Sequence, residues 1–240
     1  MVPRYRHEYK YLCSNLQMSI LQQRMQGLLL MDRHAMPAGY YRIRSLYFDT
    51  QDDMCYYDNE NGVGSRCKYR IRIYNGDKSC IVLEKKVKEN QMGYKLSCRL
   101  SEAECRLLIQ GRYEKLMEDE AVSEGREKVK RMLLLEMQQR TMRPKVIVEY
   151  MRIPFVEPAT NVRVTFDKEI SSSNDFEHFL ESQIPLRPVN PLGEGILEVK
   201  WDGILPDYIR KSLQLNSLSW TGYSKYYFCR KFNMYGGVRV

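Results

Sequence analysis

No stretch of this sequence is long and apolar enough to span a bilayer as a helix. The longest aliphatic run is Leu133-Leu134-Leu135, preceded by Met132. The opening residues, Met1-Val2-Pro3-Arg4-Tyr5-Arg6, lack the apolar stretch of a secretion signal, so a cytoplasmic location is expected. Histidine is scarce: His7, His34 and His178 are scattered, and none is placed to act as a general base. The seven cysteines (Cys13, Cys55, Cys67, Cys80, Cys98, Cys105 and Cys229) contain no CxxC pair and no Cys/His cluster. They read as reduced thiols rather than zinc ligands. No internal repeat, low-complexity tract or linker divides the chain. Its 240 residues are therefore expected to form one domain over 1–240, with a helical insertion at about 101–140.

What the chain has in excess is positive charge, 38 Lys and Arg against 30 Asp and Glu, which suggests an anionic partner. Helices are marked by capping signals at Ser14-Asn15-Leu16-Gln17 and Ser101-Glu102-Ala103-Glu104. After Ser14 the apolar face is expected at Leu16, Ile20, Leu21, Met25 and Leu28. Further helices are expected over 124–139, 175–182 and 207–215. Between them lie nine alternating segments, at 4–12, 41–48, 66–74, 79–87, 94–100, 145–153, 161–167, 196–201 and 224–230. Strands at such irregular spacing, with helices inserted, indicate an α+β protein on an antiparallel sheet.

In a strand, residues two apart share a face. Arg66, Lys68, Arg70 and Arg72 therefore stand together, opposite Cys67, Tyr69, Ile71 and Ile73. On a single strand a polar face turned to water would explain such a row. Four cations in succession repel one another, however, unless an anion sits among them. The pattern Glu-x-Lys also recurs three times, at Glu8-Tyr9-Lys10, Glu84-Lys85-Lys86 and Glu198-Val199-Lys200. Each places a carboxylate and an ammonium on one face. Arg and Lys neutralise phosphate oxygens, and Glu supplies hard oxygen ligands for Mg²⁺ or Mn²⁺. If the sheet closes with this face inward and helices outside, the product is a cationic barrel.

These residues resemble the catalytic domain of the vacuolar transporter chaperone (VTC) family, the polyphosphate polymerase branch of the triphosphate tunnel metalloenzymes. The likeness runs from about Arg4 to Arg230. It rests on Glu8-Tyr9-Lys10-Tyr11, Ser45-Leu46-Tyr47-Phe48-Asp49, Tyr69-Arg70-Ile71-Arg72, Leu83-Glu84-Lys85-Lys86, Tyr150-Met151-Arg152, Val162-Arg163-Val164, Leu197-Glu198-Val199-Lys200 and Ser224-Lys225-Tyr226. It implies a closed antiparallel β-barrel, a Mn²⁺ or Mg²⁺ cofactor, and transfer of the γ-phosphoryl group of a nucleoside triphosphate such as ATP to polyphosphate. It also implies roles: Arg70, Arg72, Lys86, Arg152, Arg163, Lys200 and Lys225 as catalytic cations, and Lys10, Lys95, Tyr150 and Ser224 as substrate contacts. Glu198 is the implied metal ligand, with Glu8 a second candidate from its in-phase position. A stand-alone form, similar to bacterial members, is expected.

Two positions depart from the pattern: Arg6 stands where many tunnel enzymes have a glutamate, and Gly222 where the VTC pattern has a lysine. Two other readings stay open at this level. One is a triphosphatase on the same fold, cleaving tripolyphosphate or a nucleoside triphosphate. The other is a non-catalytic module for polyphosphate or nucleic acid, although no specific nucleic acid is expected because Tyr5, Tyr9 and Tyr69 have the opposite parity to the arginines. A membrane-protein partner is compatible with the sequence, and nothing in it names one.

Overall fold

The computed structural model describes residues 5–89, 92–120, 128–215, 218 and 220–236. β1 (His7–Ser14) leads into α1 (Asn15–Gln26). The capping box forms as the sequence predicts, with the Gln17 N–H donating to Ser14 Oγ and the Ser14 N–H donating back to Gln17 Oε1. Of the predicted apolar face Leu21 and Met25 are buried, joined by Met18, whereas Leu16, Ile20 and Leu28 are exposed. After β2 (Leu30–Met31) come β3 (Tyr41–Asp49), α2 (Met54–Glu60), β4 (Ser65–Tyr74), β5 (Asp77–Glu89) and β6 (Met92–Leu100). Three helices follow, α3 (Glu102–Ile109), α4 (Glu114–Glu120) and α5 (Lys128–Arg140). The predicted helix start at 124–127 lies outside the described residues. β7 (Arg143–Glu157), β8 (Val162–Ser173), β9 (Arg187–Pro188), β10 (Glu194–Trp201), α6 (Asp207–Ser212) and α7 (Lys225–Tyr235) complete the chain.

The strands form one antiparallel sheet in the order β1-β10-β8-β7-β3-β4-β5-β6, with β2 added to β7 and β9 to β8. Its convex side is apolar. Ile71 and Leu83 pack beneath Leu108, Leu133 and Leu134, while Leu197, Val199, Val164 and Phe166 pack beneath α1. Each such fully buried side chain contributes about 1.5–3 kcal/mol.

Four expectations are corrected. The barrel is not closed: among the described residues β1 and β6 meet at one isolated bridge, Arg6 to Gly93, with N···O distances of 3.1 and 3.4 Å. A Cβ at Gly93 would lie 2.9 Å from the Val87 carbonyl oxygen, so glycine at this position permits the close approach of β6 to β5 beside the bridge. Further along β1 the free edge is taken by another segment. Trp220 bridges Tyr11, and the Thr221 N–H donates to the Lys10 carbonyl at 2.9 Å. A continuous β1–β6 ladder has no room to form there.

The predicted strand over 224–230 is helix α7, capped by Ser224, whose Oγ accepts from the Tyr227 N–H. Nor does α7 lie outside the sheet. It touches Asp167 through Lys225 and Ser172 through Asn233, both on the concave side. The predicted helix at 175–182 is a run of turns.

Candidate active site

The concave face holds a cavity of about 140 Å³ between the split edges of the sheet and the N-terminus of α7. β4 supplies Arg66, Lys68, Arg70 and Arg72, and β5 supplies Lys86 and Lys88. β1 adds Glu8 and Lys10, β7 Tyr150 and Arg152, and β10 Glu198 and Lys200. Gly222 to Tyr226 close one side, with Tyr47 and Asn59 beside them. Ten cations thus face two carboxylates. The period-two pleat makes this possible, because each strand sends its apolar residues to the convex core and its charged ones inward.

Two fully or nearly buried carboxylates behind the lining hold part of this charge in place. Glu84 accepts from Arg70 Nε and from Lys95 Nζ, each at 2.6 Å, and lies 3.7 Å from Arg72 Nη1. Asp167 takes both arms of Arg152, at 2.6 and 2.7 Å, and Lys225 Nζ at 2.6 Å. Burial opposes ionisation of both acids, yet the surrounding cations hold their pKa values below the ordinary carboxylate range. Lys225 is correspondingly raised, against burial, mainly by Asp167 and Glu198.

Glu8 and Glu198 are different, because they face the cavity itself. Glu198 accepts from Lys200 Nζ at 2.7 Å and from Arg152 Nη2 at 3.0 Å. Glu8 lies 3.2 Å from both Lys86 and Lys200. Both carboxyls are held below the usual range despite burial, Glu8 chiefly by Lys10 and Lys86 and Glu198 by Lys200. The two share Lys200, whose Nζ lies 3.2 Å from Glu8 and 2.7 Å from Glu198. Among the described residues no group of three or more His, Cys, Asp or Glu is arranged to hold a metal ion. A pair of hard carboxylates among phosphate-binding cations still fits Mg²⁺ or Mn²⁺. Such ions commonly take one or two carboxylates and complete their shell with water and phosphate oxygens.

Two lysines of the lining carry the strain of the crowding. Burial, reinforced by Arg66, Lys86 and Lys10, depresses Lys68 to about 7. Lys86 is supported by Glu8 but falls to about 8 through burial and the nearby Lys10 and Lys200. Two aromatic rings brace the cations. Tyr150 lies under both Arg152 and Lys225, and Tyr47 donates its ring to Arg70 while its hydroxyl accepts from Arg70 Nη1 at 2.9 Å. Asp49, fully buried at the end of β3, accepts from the N–H groups of Thr50, Cys55 and Tyr56 and from the Tyr226 hydroxyl. It thereby fixes α2 and the start of α7 against the site.

Of the thirteen residues expected from the sequence, the cavity gathers eleven: Glu8, Lys10, Arg70, Arg72, Lys86, Tyr150, Arg152, Glu198, Lys200, Ser224 and Lys225. Arg163 has the right parity but donates to Asp32 Oδ2 and to the Tyr41 hydroxyl at 2.5 and 2.8 Å, outside the lining. Lys95 is spent on Glu84. Arg6 adds no cation to the cavity, because its Nε binds Asp202 at 2.8 Å and its Nη2 the Asn161 carbonyl. Arg66, Lys68 and Lys88 were missing from the expected set. Their signal was present, since Arg66 and Lys68 share the phase of Arg70, and Lys88 that of Lys86. Asn59, Tyr223 and Tyr226 gave none.

No curated protein sequence matches the chain. Among solved structures, a Hippeastrum protein described as an adenylyl cyclase with a dominant triphosphatase activity aligns with a TM-score of 0.54. That alignment covers 95% of both chains at 13% identity, a likeness of fold alone. A candidate adenylate cyclase from Bacillus halodurans aligns at 0.46, with 12% identity over 100% of this chain and 94% of its own. The family model of the VTC domain matches residues 5–232, and the chain belongs to the VTC-domain family.

Proposed function

We propose that this chain is a divalent-metal-dependent phosphotransferase acting on condensed phosphates, and that it moves the γ-phosphoryl group of a nucleoside triphosphate such as ATP onto a polyphosphate chain. The observation that carries this reading is the cavity lining: ten cations around a single pair of carboxylates. Phosphoryl transfer requires mostly positioning and charge stabilisation from a protein. Arg70, Arg72, Arg152 and Lys225 are preset by Glu84 and Asp167. They would hold phosphate oxygens without reorganising as charge shifts. Lys86 and Lys200 flank the Glu8–Glu198 pair, while Lys10, Tyr150 and Ser224 supply further contacts.

Glu198, with Glu8 beside it, would hold Mn²⁺ or Mg²⁺, whose contribution is to neutralise and align phosphate oxygens. In the transfer, an oxygen of the acceptor's terminal phosphate forms a bond to the γ-phosphorus. The bond from that phosphorus to the β–γ bridging oxygen breaks, and the nucleoside diphosphate leaves with the electron pair.

The same lining would serve a triphosphatase with water as the nucleophile, so the products decide between the two. A non-catalytic polyanion binder is disfavoured by Glu8 and Glu198, which weaken a purely anion-binding cavity and cost burial energy. Purified protein incubated with ATP and Mn²⁺ should accumulate acid-labile polymer, and Glu198→Gln should abolish this while sparing polyphosphate binding. Release of orthophosphate without polymer would select the hydrolase, and unchanged polymer synthesis by Glu198→Gln would overturn the assignment.

A further inference from the structure

We infer that Phe228 is the stacking platform for the base of the nucleoside triphosphate whose phosphates the cavity receives, an assignment that rests on the reading of that cavity as a triphosphate site.

The cavity is too small for a whole nucleotide. Its volume is about 140 Å³. Clefts that bury ligands of nucleotide size run from roughly 300 Å³ upward. Three of its rings are also engaged by cations: Tyr47 by Arg70, Tyr150 by Arg152 and Lys225, and Tyr226 by Lys68 at 4.8 Å. A nucleoside whose phosphates are held there must therefore lie at the rim.

The rim offers an aromatic surface beside the N-terminus of α7. Ser224 and Lys225 line the cavity, and the Phe228 N–H donates to the Ser224 carbonyl at 3.0 Å. Residues three and four apart share a helix face, so Phe228 stands on the side of α7 that carries Ser224 and Lys225. It lies one helical turn, about 5.4 Å, further along the axis.

The Phe228 ring is fixed before any ligand arrives. It stacks on Tyr223, another cavity residue, with centroids 4.3 Å apart and planes inclined by 18°. It meets Tyr227 at 5.2 Å and 81°. Tyr227 in turn stacks on Tyr56 at 5.0 Å and donates its hydroxyl to Glu60 at 3.0 Å. Despite these contacts Phe228 remains 38% exposed. A lone half-exposed ring is ordinary on a protein surface. A ring braced by two neighbours, open to solvent and one turn from a phosphate-binding helix terminus is arranged to receive a flat ligand whose place is set by its phosphates.

Calorimetric titrations of the full chain in EDTA, with the β,γ-imido analogue of ATP and with tripolyphosphate, test the assignment. Phe228→Ala and Phe228→Leu should each weaken the nucleotide analogue at least about fivefold, the worth of one base stack, and leave tripolyphosphate within about twofold. Phe228→Trp keeps a stacking face and should bind the analogue at least as tightly as the parent. The indole that it introduces should be quenched by the nucleotide analogue and not by tripolyphosphate, measured against the parent's own emission.

Equal losses for the two ligands, no loss for the nucleotide, or a Phe228→Trp variant as weak as Phe228→Ala would overturn the assignment. If the parent binds neither ligand, it is the triphosphate reading of the cavity that fails. Melting without ligand checks that each variant folds. Should Phe228→Ala not fold, Phe228→Leu and Phe228→Trp carry the comparison.

Discussion

Arg152 holds Asp167 with both arms of its guanidinium, and the same Nη2 that completes the grip also donates to Glu198 at 3.0 Å. One arginine thereby joins the buried counter-charge of the site to the carboxylate that faces the cavity. Asp167 is fully buried and serves Lys225 as well, so two cations depend on it.

Asp167→Asn keeps the shape and removes the charge, leaving Arg152 and Lys225 facing one another without their shared counter-ion. Urea unfolding near neutral pH should show a loss of about 3–5 kcal/mol, as expected when one partner of a buried pair is removed. Tripolyphosphate should restore part of that loss, because a ligand that supplies the missing charge binds only the folded state. A variant as stable as the parent without anion would mean that Asp167 is not the counter-charge of this site.

The depressed lysines give the protein a pH dependence of definite sign. Folded Lys68 and Lys86 titrate at about 7 and about 8, against an ordinary value of 10.5. Between those values and 10.5 the unfolded chain binds more protons than the folded one. The stability contribution of these two groups therefore rises with pH across that window, and their full cost is present below about 7. Polyphosphate binding should run the other way, weakening as pH rises through about 7 and about 8 and the cations are lost. Melting temperature measured against pH, with and without polyphosphate, should show the two opposing slopes. Lys68→Met should remove the lower step, and an unaltered profile in that variant would exclude Lys68 as its source.

Much of this site could be read from strand parity, because a period-two pattern survives any error in where a strand begins. Arg70, Arg72, Lys86, Glu198 and Lys200 followed from it, and all five line the cavity. Contacts across the fold were not readable. Arg163 has the right phase, yet it meets Asp32 and Tyr41, more than a hundred residues earlier in the chain. The segment 224–230 was misread for a local reason. Its aromatic run, Tyr226-Tyr227-Phe228, has the composition of a strand, whereas the Ser224 cap and the buried Tyr226 and Cys229, three residues apart, belong to a helix. Closure of the sheet was misjudged because no strand pattern reveals that Trp220 and Thr221 occupy the edge of β1.

Gly222 offers the most direct test of how the cavity's charge sets its affinity. The residue lines the site, and a Cβ added there meets nothing within 4 Å. Gly222→Lys should therefore fold, placing an ammonium beside Ser224 and Lys225 at the position where the VTC pattern carries a lysine. Without anion the extra cation adds repulsion, so the melting temperature should stay level or fall slightly. With polyphosphate the balance reverses. One new charge-assisted contact is expected to tighten binding by about tenfold. It should also steepen the fall of log affinity with log salt by about one contact's worth. Tighter binding without a steeper salt dependence would point to a change in the shape of the 220–224 segment rather than to the added charge. Unchanged binding would mean that the open space at Gly222 lies off the path of the bound chain.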